Sequence, residues 1–142
     1  MLLAEAIIEK EYMRDSISEL LQRIERLSKT DKAGNLLEKA FSKLDKLYDK
    51  YQQLSVSIDR SEANTIIKVN KSEVRLRDAI IIKKVMRDRI SNFERILNGS
   101  NTLDNIVYVD YNKINEKIDE LMSDIKVLDS KIQYARWNTE AA

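Results

Sequence analysis

The chain has 142 residues, enough for one domain with a real core and too few for two comfortable ones. Its 25 basic residues balance 24 acidic ones, so no concentrated basic face is expected for nucleic acid or for an anionic membrane. Cys and His are both absent, which excludes disulfides, thiolate metal sites and every Ser-His or Cys-His arrangement; no catalytic residue, metal or cofactor is assigned.

Charged residues make up 35% of the chain, with no Pro and two Gly, a profile of long helices. The opening MLLAEAIIEKEY has no basic leader and meets Glu5 within its first turn, so it does not read as a signal peptide. No window approaches the roughly 20 apolar residues of a membrane-spanning helix. A cytoplasmic protein with no membrane partner is expected.

The first helix is expected over about 3–28. Leu3, Ile7, Met13, Ile17, Leu20, Ile24 and Leu27 follow a heptad seam, with Lys10 the one interruption. Asp31, Gly34 and Asn35 then supply a turn short enough to favour an antiparallel neighbour. A second helix over about 35–57 carries Leu37, Phe41, Leu44, Tyr48, Tyr51 and Ile58 on its seam.

The stretch SIDRSEANT, residues 57–65, gathers Asp59, Arg60, Ser61, Glu62, Asn64 and Thr65 and reads as a self-bonded polar corner leaving the second helix. Residues 65–69 and 106–110 are β-branched and predict two short strands that pair with each other and pack on the helices. Between them a third helix is expected over about 72–97, capped by Ser72 and ended by Gly99. The fourth, over about 112–137, has an unbroken seam from Ile114 to Ala135. No linker divides the chain, so the fold class is mainly α: four long antiparallel helices, coiled-coil-like, in one domain with a small two-stranded β element.

Three places are candidates for function. Ile80, Ile81, Ile82, Val85 and Met86 make the third helix apolar on more than one face, a pattern that points to a homo-oligomer interface. Trp137, the sole tryptophan, follows the last seam residue and is expected to anchor the C-terminus together with Gln133 and Thr139. The corner from Asp59 to Thr65 could hold a small ligand or an anion on Arg60, or serve only as structure. Glu116–Asp119 has no Glu-x-x-Glu opposite it, so no metal centre is expected there.

Several of these stretches together resemble the septicolysin-like family of small bacterial proteins. They are LAEA at Leu3–Ala6, the corner Ile58–Thr65, LRDA at Leu76–Ala79, VYVD at Val107–Asp110 and the Trp-containing Ile132–Glu140. Arg60, Thr65, Gln133, Trp137 and Thr139 match the family pattern. Asp59 and Glu62 stand where that pattern has Asn, and Arg136 stands where it tends to Asn. The resemblance implies a cytolysin acting on membranes. The residues themselves favour a non-enzymatic, self-associating helical protein with an assembly or partner-binding role.

Overall fold

The computed structural model describes residues 1–31, 34–99 and 110–142. It is mainly helical, with α1 (Leu3–Leu27), α2 (Gly34–Asn64), α3 (Leu76–Gly99) and α4 (Tyr111–Trp137). Between α2 and α3 lies a two-stranded antiparallel sheet, β1 (Ile66–Val69) and β2 (Ser72–Arg75). By their contacts the residues group into two compact units, Met1–Glu62 with Arg136–Ala142, and Ala63–Ala135.

In the first unit α1 and α2 pack along their apolar stripes. Ile17, Leu20 and Ile24 of α1 cluster with Ala40 and Leu44 of α2, and Leu37, Leu47 and Tyr51 close around them. Farther along, Lys10 lies over the Tyr51 ring, 5.5 Å from its centre, so the two helices run antiparallel. The buried stripe of α2 departs from the expected seam: Ala40 is inside, while Phe41 and Tyr48 are largely exposed. Two apolar rows share Leu37, Leu44 and Tyr51 on this helix, and the one that packs on α1 is completed by Ala40 and Leu47.

The chain ends are joined to this unit by backbone. Leu2 and Glu140 form an isolated antiparallel bridge. The Leu3 amide donates to the Thr139 carbonyl at 2.8 Å, and the Ala141 amide to the Met1 carbonyl at 2.9 Å. Glu5 accepts the Leu2 amide at 2.8 Å, satisfying a donor that the start of α1 leaves open.

The second unit holds the hairpin, α3 and nearly all of α4. Ile66 pairs with Arg75, Ile67 with Val74, Lys68 with Glu73 and Val69 with Ser72. Asn70 and Lys71 form the two-residue turn, both with positive φ, 49° and 68°. That is the combination a type I′ hairpin turn needs. β1 thus pairs with β2 in a local hairpin; the other strand expected, at 106–110, lies outside the described residues apart from Asp110. Ser72 sits in β2 and does not cap α3, which starts at Leu76, whose amide donates to the Thr65 carbonyl at 2.7 Å. Lys131 of α4 donates to the Lys68 carbonyl at 2.9 Å, holding the ribbon against a helix. Ion pairing of Lys83 with Asp129 and the seating of Lys117 over Phe93 set α3 and α4 antiparallel.

Leu76 and Ile132 are fully buried in this unit, as Leu3 is in the other. The α4 seam follows the sequence pattern, with Ile118, Leu121, Leu128, Ile132 and Ala135 buried.

Candidate functional site

The expected corner is helical. α2 continues through SIDRSEA to Asn64, and its hydroxyls bond along the helix instead of breaking it. Ser55 Oγ donates to the Tyr51 carbonyl at 2.7 Å, and Ser61 Oγ to the Ser57 carbonyl at 2.9 Å, both to residue i−4. Ile58 and Ser61, three residues apart, face inward, while Asp59, Arg60 and Asn64 are exposed and Thr65 is half-buried. Arg60 is therefore not placed as the anchor of an enclosed site.

The cation that meets this segment from inside is Arg136. Its Nη2 donates to Glu62 Oε1 at 3.3 Å, with side-chain exposures of 20% and 17% respectively. The guanidinium is not saturated: Nε is buried and has no hydrogen-bond partner among the described residues. Around this pair lies a cavity of about 250 Å³. α1 contributes Lys10 and Arg14 as cations and Glu11 as a carboxylate. Ile7, Tyr51 and Ile58 form its apolar wall. Lys10 and Arg136 both announced themselves in the sequence, as charges interrupting or directly following an apolar seam.

The C-terminal segment is tied down through its backbone groups, the Ser61 hydroxyl and the Glu140 carboxylate. Thr139 acts through its carbonyl, and Ala142 donates its amide to Ser61 Oγ at 2.7 Å. Trp137 remains 49% exposed. Gln133, also exposed, hydrogen-bonds Asp129.

The residues singled out on α3 split between two environments. Ile80 and Met86 are half-buried, whereas Ile81, Ile82 and Val85 are 53%, 40% and 51% exposed. Those three form one continuous patch, since i, i+3 and i+4 positions adjoin on a helix. Lys83 lies between them in sequence but is half-buried against α4, where it pairs with Asp129. That hydrogen bond is the main reason the Asp129 carboxyl is held below the ordinary aspartate range; the Lys83 charge, Gln133 and Arg87 add to it. Among the described residues no three Asp or Glu cluster as a metal site, and no helix is long and apolar enough to cross a membrane.

Fold and sites together define a helical-hairpin protein with a charged cavity in one unit and an exposed apolar stripe in the other. The chain belongs to the family of unknown function DUF6847, whose sequence profile matches residues 10–141. No curated protein matches it. It is similar to a functionally unknown conserved protein from Corynebacterium diphtheriae known from a crystal structure, with 20% identity and a TM-score of 0.87. The likeness covers 100% of this chain and 99% of that one, and at this identity it speaks for the fold.

Proposed function

We propose that the protein is a non-enzymatic helical assembly protein whose α3 pairs antiparallel with α3 of a second copy, in a coiled-coil-like contact. The observation that carries this reading is the exposed Ile81–Ile82–Val85 patch. Isolated exposed apolar residues are ordinary, but three adjoining β-branched side chains on one helix face are a feature of buried surface.

The pattern around the patch is self-complementary. Asp78, Ile82, Val85 and Arg89 follow i, i+4, i+7 and i+11, and so lie on one stripe. A two-fold axis crossing that stripe midway between residues 83 and 84 sets Ile82 opposite Val85 and Asp78 opposite Arg89. Asp78 and Arg89 are both exposed, so each copy offers the charge that the other lacks.

Sedimentation or light scattering tests the proposal. The wild type is expected at a multiple of 16.6 kDa at micromolar concentration. Val85→Glu should reduce it to one chain. Asp78→Arg should weaken association, and adding Arg89→Asp should restore it, which a non-specific apolar contact cannot do. A stable wild-type monomer refutes the reading. The lytic activity implied by the septicolysin-like resemblance makes a separate demand, release of dye from liposomes at the same concentration.

A further inference from the structure

We infer that the cavity beside Arg136 binds a small organic monocarboxylate, with its carboxylate on Arg136 and Lys10 and its apolar body against Ile7 and Ile58. Glu62 engages one nitrogen of the guanidinium and so fixes its plane, while the Arg136 side chain keeps 20% exposure and lines the cavity. A planar carboxylate suits a guanidinium with donors left to satisfy. Lys10, held over the Tyr51 ring, supplies a second cation from α1.

Charge and size narrow the ligand. Three cations, Lys10, Arg14 and Arg136, face two carboxylates, Glu11 and Glu62, so the lining balances a single negative charge. A dianionic phosphate would leave one negative charge that the lining does not balance. The cavity of about 250 Å³ lies below the size of a drug-like pocket and suits a body of a few carbons. No residue of the α3 stripe takes part, so this inference and the proposed association fail or survive separately.

Hexanoate is the probe, with hexanol and inorganic phosphate as comparators. Binding is read by ligand-observed NMR and by the fluorescence of Trp137, the sole tryptophan and the chain neighbour of Arg136. Hexanoate should bind saturably and hexanol and phosphate should not. Lys10→Gln and Arg136→Lys should each weaken hexanoate about tenfold, the loss of one charge-assisted contact. Lys10→Gln leaves the Glu62–Arg136 pair in place and so serves even if the Arg136 variant fails to fold. No saturable hexanoate binding, equal binding of hexanol or phosphate, or an unchanged affinity in Lys10→Gln each overturns the inference.

Discussion

The Ser61 hydroxyl accepts the Ala142 amide at 2.7 Å while donating to the Ser57 carbonyl at 2.9 Å, so one buried side chain ties the C-terminal segment to α2. Ser61 is the only buried polar residue among the described residues. Ser61→Ala leaves the Ala142 amide without its acceptor and should cost about 1–2 kcal/mol, measured by urea denaturation. A loss below a few tenths would mean that water replaces the hydroxyl at no cost.

Arg60 and Arg136 should behave differently on removal. Arg60 is exposed, so Arg60→Ala is expected to change stability by no more than about 0.5 kcal/mol. Arg136→Ala strands Glu62, which is mostly shielded from water, and should cost about 1–2 kcal/mol. A Glu62→Gln/Arg136→Ala double-mutant cycle isolates the pair; a coupling near zero would show that packing alone accounts for the loss.

Lys71 holds a left-handed conformation that costs a residue with a Cβ. Lys71→Gly turns the pair into Asn-Gly, the preferred type I′ sequence, and should stabilise the protein by about 1 kcal/mol. Thermal unfolding checks the sign, and a destabilised variant would point to a role for the Lys71 side chain.

Asp129 makes stability depend on acid. Its carboxyl titrates below the ordinary value because Lys83 bonds the ionised form. The contribution is therefore complete above about pH 4, the unfolded value, and is lost as pH falls through the lower folded one. Lys83→Met should lower stability near neutrality and flatten this acid limb. The Met1 ammonium has the opposite sign: the Glu140 hydrogen bond raises it, so its share is present below about pH 8 and fades as pH rises past the raised value. Denaturation midpoints of wild type and Lys83→Met at pH 3, 6 and 9 separate the two groups, and parallel curves from pH 3 to 6 would contradict the role of Asp129.

The helices were legible because their apolar residues recur at three- and four-residue spacing; the buried α4 seam from Ile118 to Ala135 is the clearest case. The corner was misleading because Ser, Asp and Asn favour turns in isolation, yet Ser57 and Ser61 stand four apart and bond helically, and Ile58 and Ser61 keep the stripe going. β2 was hidden because SEVR reads equally as a helix start; the turn before it becomes visible only once Asn70 is seen as a residue tolerant of positive φ. Glu62 and Arg136 lie 74 residues apart, and no local spacing announces their meeting.

The bridge between Leu2 and Glu140 sets two residues from opposite parts of the sequence side by side. Residues facing each other across an antiparallel bridge have α-carbons about 4.5–5.5 Å apart, so a linker of a few residues could join Leu2 to Glu140. The chain could then be opened at the exposed turn at Asn70 and Lys71 without breaking a helix. A permuted chain that still folds would show that the neighbourhood of the elements, and not the order in which the ribosome delivers them, carries the fold.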